Sequence, residues 1–121
     1  MKKVLIIEDD SFLQGLEAGK LKRSGFDIIT ASSGEEAMKK IHEPSIDIVL
    51  LDLMLPDLDG FDILKAIKST EGMKNTPVIV FSNLSEEEAI KRSKELGALD
   101  FMVKSNFTLD ELVKRINEIL K

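Results

Sequence analysis

Acidic and basic side chains follow the apolar runs of this sequence, at the points where those runs end. Glu8 and Asp9 come after the first run, Asp52 after a later one, and Lys104 after the last. Asp52 lies within the most apolar stretch of the chain, where an ionised carboxylate without partners is costly. Clustered carboxylates repel one another and raise one another's pKa, and a divalent cation resolves that conflict. The pattern therefore indicates a metal site.

The ligands available to such a metal are oxygen atoms. The chain has no cysteine, and its one histidine, His42, lies along a different helix, where we expect it to cover a helix end. Hard oxygen ligands select Mg²⁺, Mn²⁺ or Ca²⁺ over Zn²⁺, and carboxylates that leave positions open for water and a phosphate suit Mg²⁺ best. Residues 57–60 lack the spacing of an EF-hand calcium loop and are expected to form a turn before a helix.

A metal, a carboxylate, a lysine and a hydroxyl together describe phosphoryl transfer onto an acid side chain. Asp carboxylates serve as covalent phosphoryl acceptors, which makes Asp52 the expected acceptor. Mg²⁺ would screen the approaching phosphate from Asp52. Lys104 would bind phosphoryl oxygens as a point charge, and the Ser82 hydroxyl would donate a hydrogen bond to another oxygen.

The elements that must position these residues alternate between strand and helix. Four apolar runs have strand length and no polar alternation, which is typical of strands covered on both faces: residues 4–7, 48–51, 78–81 and 101–103. A weaker run at residues 26–30 fits an edge strand. Apolar residues at helical spacing lie between the runs and after the last one; Phe12, Leu13, Leu16 and Leu21 mark the first helix. The chain therefore predicts five strands and five helices.

Start and stop signals agree with this division. Capping-box spacings precede the second, fourth and fifth helices: Ser33 with Glu36, Ser85 with Glu88, and Thr108 with Glu111. Gly25 and Gly97 lie where a left-handed residue would end the first and fourth helices.

This alternation predicts an α/β fold with a flavodoxin-like, doubly wound sheet of five parallel strands in the order 2-1-3-4-5. We expect one domain over residues 1–121. The carboxyl ends of parallel strands share one edge, so the acids that follow strands one and three should converge there with Ser82, Asn83, Lys104 and Ser105. The acids are Glu8, Asp9, Asp10, Asp52, Asp57 and Asp59.

The amino-acid composition excludes some classes of binding partner. The net charge of −5, with 22 acids against 17 Lys and Arg, argues against binding nucleic acid or an anionic membrane through bulk positive charge. No run is long enough for a secretory signal or a membrane span, so a cytoplasmic location is expected. Acid-before-base pairs four residues apart on the predicted helices are expected to form solvated ion pairs: Glu35/Lys39, Glu36/Lys40, Glu87/Lys91, Glu88/Arg92, Asp110/Lys114 and Glu111/Arg115.

The sequence resembles the receiver domains of two-component response regulators over essentially its whole length. The motifs that carry the resemblance are Val4-Leu5-Ile6-Ile7-Glu8-Asp9-Asp10, Asp52-Leu53-Met54-Leu55-Pro56-Asp57-Leu58-Asp59-Gly60, Val80-Phe81-Ser82, Gly97-Ala98 and Phe101-Met102-Val103-Lys104. Together these motifs are highly specific to that family.

The resemblance implies particular roles. Asp52 would be phosphorylated by a histidine kinase or a histidine phosphotransfer protein, and Lys104 would bind the phosphate. Glu8 and Asp9 would hold Mg²⁺ together with the backbone carbonyl of Met54. Such domains catalyse their own phosphorylation and its hydrolysis, which makes "enzyme" partly a matter of definition.

The resemblance also implies a switch. Ser82 and Phe101 would rearrange on phosphorylation and alter the surface formed by helix four, strand five and helix five. That surface would then change its affinity for a downstream protein effector, and a phosphorylation-dependent dimer through helices four and five is left open.

Two positions depart from the family pattern. A proline, joined by a cis peptide bond, usually follows the lysine, but Ser105 follows Lys104 here. A cis bond before a non-proline residue costs about 2.5–4 kcal/mol, so a trans bond or a strained geometry is the expectation. Asn83 follows Ser82 where a small residue is common.

Two other classes of function compete with the switch. One is a docking module that kept the receiver fold but works without phosphorylation, for which Ser105 is the only support. The other is a flavin or nucleotide carrier, which lacks the required Gly-rich phosphate loop after strand one, where acids stand instead.

Overall fold

The computed structural model describes all residues from Met1 to Lys121. Its elements, in chain order, are β1 (Lys3–Ile7), α1 (Ser11–Arg23), β2 (Asp27–Ala31), α2 (Gly34–Lys40), β3 (Ile48–Leu51), α3 (Gly60–Ser69), β4 (Val78–Ser82), α4 (Glu87–Glu95), β5 (Asp100–Val103), a 3₁₀ turn (Lys104–Asn106) and α5 (Leu109–Leu120). The strands form one parallel sheet in the order β2-β1-β3-β4-β5. The predicted fold class is confirmed.

Apolar side chains pack on both faces of the sheet. One cluster lies between the sheet and α2 and α3, and includes Leu5, Leu51 and Leu64. The other lies under α1 and α5 and includes Ile6, Leu21 and Ile116. Every residue of β3 and β4 is buried, which explains why these strands read as continuous apolar runs. No helix is both long and apolar enough to cross a lipid bilayer.

The apolar residues that marked the first predicted helix lie in α1, but not all of them are buried. Leu21 is fully buried, but Phe12 is 72% exposed and Leu16 is 46% exposed. The inward face instead follows positions four residues apart, namely Leu13, Glu17 and Leu21, so Phe12 and Leu16 lie on its flank. The apolar pattern was misleading because the middle position of the inward face is a glutamate.

The predicted helix ends are mostly confirmed. Thr108 and Glu111 form a complete capping box at α5, and the Ser33 side chain accepts a hydrogen bond from Glu36 N–H at α2. Gly25 and Gly97 have positive φ angles of 94° and 104°. The Ser85 cap is wrong: α4 begins one residue later, at an N-cap Glu86 whose side chain makes no capping hydrogen bond.

Candidate functional site

The site lies at the edge where the strands of the sheet end. Ile7 pairs with Leu51 at the ends of β1 and β3, so the residues that follow, Glu8 and Asp52, stand side by side. Ser82 is the last residue of β4 and pairs with Val103, the last of β5. Parallel pairing therefore brings Lys104 to the same edge. Glu8, Asp52, Ser82 and Lys104 therefore lie together at this edge, as predicted.

Three carboxylates gather at this edge. One oxygen from each of Glu8, Asp9 and Asp52 lies within 4.8 Å of the others. Glu8 and Asp52 are buried, whereas Asp9 is exposed. Hard oxygen donors at this spacing, with one side open to solvent, fit Mg²⁺ or Mn²⁺. The site contains no histidine or cysteine that would favour a softer metal.

Lys104 bridges two of these carboxylates. Its Nζ donates to Glu8 Oε1 and, at 2.7 Å, to Asp52 Oδ2. Burial lowers the pKa of Lys104, but the hydrogen bonds to Asp52 and Glu8 outweigh burial, so its pKa is raised and the amine stays protonated. Burial raises the pKa of Glu8, against the lowering effect of the Lys104 hydrogen bond. A buried acid pair is thus held together by one cation.

The other oxygen of Asp52 accepts two neutral hydrogen bonds. Ser82 Oγ donates to Asp52 Oδ1 at 2.8 Å, and Met54 N–H donates to the same atom at 2.9 Å. Asp52 is therefore fixed at both oxygens, and Ser82, which is completely buried, places its hydroxyl against the Asp52 carboxylate. Gln14 closes the β1 side of the site by donating from Nε2 to the backbone oxygens of Glu8 and Ala31.

The peptide bond between Lys104 and Ser105 is trans, since the chain contains no cis peptide bonds. Lys104 opens the 3₁₀ turn Lys104–Asn106 and still reaches Asp52. Ser105 therefore does not prevent Lys104 from contacting Asp52, which weakens the support that Ser105 gave to a docking module without phosphorylation.

Phe101 lies in β5, opposite Val80 of β4. It is half-buried and packs against the α2 and α3 side of the sheet, together with Leu84 and Leu96. Leu84 belongs to the loop that follows Ser82, and its N–H lies 3.4 Å from Ser82 Oγ. Ser82 and Phe101 thus lie in neighbouring strands, and the loop after Ser82 packs on the same apolar cluster as Phe101.

Three acids that were expected at the site serve as helix caps instead. Asp10 accepts from Leu13 N–H at the start of α1, and Asp59 accepts from Phe61 N–H at the start of α3.

The third acid, Asp57, caps a helix to which it does not belong. Its carboxylate reaches across to α2, where it accepts from Gly34 N–H and Glu35 N–H. Hydrogen bonds from those two amides, that of Glu35 first, lower the pKa of Asp57. An acid that follows a strand can cap the next helix as well as bind a metal.

One carboxylate near the site, Glu17, was not predicted from the sequence. Glu17 of α1 is 3% exposed. Burial, with a further contribution from the charge of Glu8, raises its pKa to about 8. Its position midway between Leu13 and Leu21, four residues from each, was the signal that could have placed it on the inward face.

Comparison with known proteins identifies the class that this fold and site define. Residues 4–117 match the response regulator receiver domain family. The chain belongs to that family, whose members are the receiving domains of two-component phosphorelay signalling. Receivers of this kind generally bind Mg²⁺ at an acidic pocket and interact with histidine kinases and downstream effectors.

Individual relatives agree with the family match. The chain is 38% identical over 120 residues to the alkaline phosphatase synthesis transcriptional regulatory protein PhoP of Bacillus subtilis, covering 99% of this chain and 49% of PhoP. It is 40% identical over 121 residues to the transcriptional regulatory protein CpxR of Escherichia coli, covering 100% of this chain and 50% of CpxR. The chain thus spans about half the length of these relatives.

Solved structures match over the whole chain. The chemotaxis protein CheY4 of Vibrio cholerae superimposes with a TM-score of 0.92 at 28% identity and 99% coverage of both chains. The Francisella response regulator 1452 receiver domain superimposes with a TM-score of 0.89 at 32% identity, covering 99% of this chain and 97% of that one.

Proposed function

We propose that this chain is a phosphorylation switch in which Asp52 accepts a phosphoryl group from a phosphohistidine of a histidine kinase or histidine phosphotransfer protein. The observation that carries the proposal is the arrangement around Asp52, where a lysine and a serine hydroxyl touch its two carboxylate oxygens. The same groups can contact the oxygens of a phosphoryl group once it is attached. Two further carboxylates lie beside it.

The covalent step joins one carboxylate oxygen of Asp52 to phosphorus. The bond between phosphorus and the imidazole nitrogen of the donor breaks, and its electron pair returns to the imidazole. The product is an acyl phosphate on Asp52. Lys104 neutralises charge on the phosphoryl oxygens as the transfer proceeds, and Ser82 Oγ donates to one of them.

Glu8, Asp9 and Asp52 would hold Mg²⁺, or Mn²⁺ in its place, with the backbone carbonyl of Met54 as a further ligand. Bound there, the cation would offset the repulsion between the acids and the incoming phosphate. The residues of this chain supply the rest. Glu8 and Asp52 are held rigid by burial, and Asp9 can adjust because it is exposed.

The switch would begin at Ser82. When its hydroxyl leaves Asp52 Oδ1 for a phosphoryl oxygen, the loop through Leu84 is drawn towards the site, because Leu84 N–H lies against the same hydroxyl. Phe101 packs against the same apolar cluster as Leu84 and would reorient into the space that opens. The surface of α4, β5 and α5 would change for a downstream protein effector, and a phosphorylation-dependent dimer could use the same surface.

The organisation and setting are part of the same proposal. Residues 1–121 would form one receiver unit that acts by protein contact, without direct nucleic acid binding or membrane insertion, in the cytoplasm. The charge of −5 supports the absence of direct DNA contact by this unit. Transcriptional regulation, which the names of the longer relatives state, would require segments beyond those matched here.

Intact-mass spectrometry after incubation with acetyl phosphate and Mg²⁺ tests the central step. The wild type should gain the mass of one phosphoryl group, and Asp52→Asn should gain none. Asp62→Asn, at an acid with an exposed side chain on α3, is the matched control and should be modified like the wild type. No modification of the wild type, or equal modification of Asp52→Asn, would refute the assignment.

A further inference from the structure

Glu17 is a buried carboxylate beside the site that takes no part in the proposed reaction. It is 3% exposed, yet its side chain accepts no hydrogen bond and forms no ion pair. Carboxylates this deeply buried are almost always paired. The Glu17 carboxyl oxygens keep slight solvent contact, because no fully buried side-chain oxygen lacks a hydrogen-bond partner, and they are free to pair with a cation that reaches them in another state.

A cavity connects Glu17 with such a partner. The cavity has a volume of about 190 Å³ and lies between α1 and the segment that follows β5. Its walls are mostly apolar and include Leu13, Phe81 and Leu109. Lys104 is the only cationic side chain that lines it, so a path free of competing charges runs from the lysine to the glutamate.

Lys104 shares both of its present partners, Glu8 and Asp52, with the cation that the acid cluster would hold. Glu8 Oε1 accepts a hydrogen bond from Lys104 Nζ, and Glu8 is also one of the three carboxylates that would hold Mg²⁺. Two cations at the same carboxylate repel each other. Until a phosphoryl group arrives, every carboxylate that contacts Lys104 would also be a ligand of the metal.

We propose that Glu17 is a positioning residue that receives Lys104 Nζ when Mg²⁺ occupies Glu8, Asp9 and Asp52. This inference rests on the proposed function, because it assumes the metal at the acid cluster. Glu17 keeps the lysine within the buried site but away from the metal ligands. The lysine is then free to move to the phosphoryl oxygens as they arrive.

The charges around Glu17 are consistent with a temporary partner. Glu8 at the end of β1, Asp10 at the start of α1 and Asp52 after β3 disfavour a negative charge on Glu17, and Lys104 favours it. From α5, only the apolar Leu109 lines the cavity. Together with burial, these groups keep the carboxyl largely protonated at pH 7. As Lys104 approaches, the pKa of Glu17 falls and its proton passes to solvent.

The test is an NMR pH titration of the carboxyl carbon of Glu17, without and with saturating Mg²⁺, in the wild type and in Lys104→Gln. In the wild type, Mg²⁺ should lower the titration midpoint by about one pH unit or more, a roughly tenfold change in the ionisation constant. The shift should be less than about half as large in Lys104→Gln, because only the field of the metal remains. The exposed Glu43 serves as an internal control and should not shift.

A second measurement does not depend on the stability of the lysine variant. The ¹³Cε signal of Lys104 should move on Mg²⁺ addition in the wild type and move much less in Glu17→Gln. Two results would overturn the inference. One is an Mg²⁺-induced shift of the Glu17 midpoint that is equal in wild type and Lys104→Gln; the other is an Mg²⁺-induced shift of the Lys104 signal that is equal in wild type and Glu17→Gln. If the Asp52 signals respond to Mg²⁺ while Glu17 does not, this inference fails alone; if Asp52 does not respond, the metal proposal fails with it.

Discussion

At the scale of single residues, the site is an electrostatic balance around Lys104. Its amine lies between Glu8 and Asp52, and all three side chains are nearly excluded from solvent. One cation therefore compensates two buried carboxylates. Removing one member of such a group leaves uncompensated charge in the protein interior.

Lys104→Gln should therefore destabilise the metal-free protein at pH 7 by about 3 kcal/mol. Urea denaturation followed by circular dichroism measures this loss. Lys39→Gln is the matched control, because Lys39 pairs with Glu35 at 3.8 Å on an exposed helix surface. That change should cost less than about 1 kcal/mol. Similar losses in the two variants would contradict the role given to Lys104.

Glu17 makes stability depend on pH in the opposite sense to an ordinary ion-paired acid. Its pKa is raised from 4.5 to about 8 in the folded protein. The unfolded chain therefore loses this proton first, and folding stability falls as pH rises from about 4.5 towards 8. Glu17→Gln should remove this dependence, so the variant should gain up to about 4 kcal/mol over the wild type at pH 8. At pH 5 the two should differ little.

Denaturation series from pH 5 to pH 8, with EDTA present to remove divalent cations, follow this difference. Glu43→Gln is the control, because an exposed glutamate should leave the wild-type profile unchanged. A constant difference between Glu17→Gln and wild type at every pH would show that the substitution acts through packing and not through ionisation.

At the scale of elements, the sequence predicted the strands better than the surfaces of the helices. β3 and β4 are covered on both faces, so their composition alone identifies them. Most of the ion pairs predicted along the helices do not form. Among them, only Glu35 and Lys39 lie within 4 Å of each other. Asp110 contacts Lys20 of α1, and Arg115 contacts Asp100 of β5. A charged side chain pairs across elements when packing brings a better partner, and spacing along one helix cannot show this.

The helix-capping acids near the site also depend on contacts between elements, which the sequence alone does not show. Asp10, Asp57 and Asp59 follow strands, as the acids of the candidate metal site do, and their residue type did not distinguish helix capping from a place in that site. What separated them was the direction of the nearest helix amides, which depends on the tertiary fold. Glu8, Asp9, Asp52, Ser82 and Lys104 were predictable because parallel pairing alone puts strand ends together.

Gly60 fixes the loop that carries Asp52 to α3. A Cβ atom at this position would lie 2.4 Å from Leu53 Cα and 2.6 Å from Leu53 O, both of them backbone atoms. Gly60→Ala should therefore cost about 1–3 kcal/mol and slow phosphorylation by acetyl phosphate, because the loop must shift. Gly15→Ala is the control: nothing lies within 4 Å of its added Cβ, and a helix-interior alanine should stabilise by about 0.5–1 kcal/mol. The free energy of unfolding and the rate of phosphorylation by acetyl phosphate, measured for both variants, test these expectations.

At the scale of the whole molecule, the sheet connects the acid site to the opposite helices. Ser82 donates to Asp52, Leu84 N–H donates to the Ser82 hydroxyl, and the Leu84 side chain packs on the same apolar cluster as Phe101. An event at Asp52 should therefore be detectable at the α4, β5 and α5 surface. The chain has no Trp or Tyr, so tryptophan and tyrosine fluorescence cannot report this event and NMR is the suitable method.

Beryllofluoride, which imitates a phosphoryl group on a carboxylate, should bind only with Mg²⁺ and should shift amide signals at two places. The first is the site itself, and the second is residues 85–101, beyond direct contact with the ligand. Ser82→Ala should keep the site shifts but lose most of the distant ones, because the hydroxyl that draws Leu84 inwards is gone. Ser69→Ala is the control, since Ser69 only donates to Lys65 O within α3, and it should behave as wild type. Distant shifts that persist in Ser82→Ala would show that the signal travels by another route.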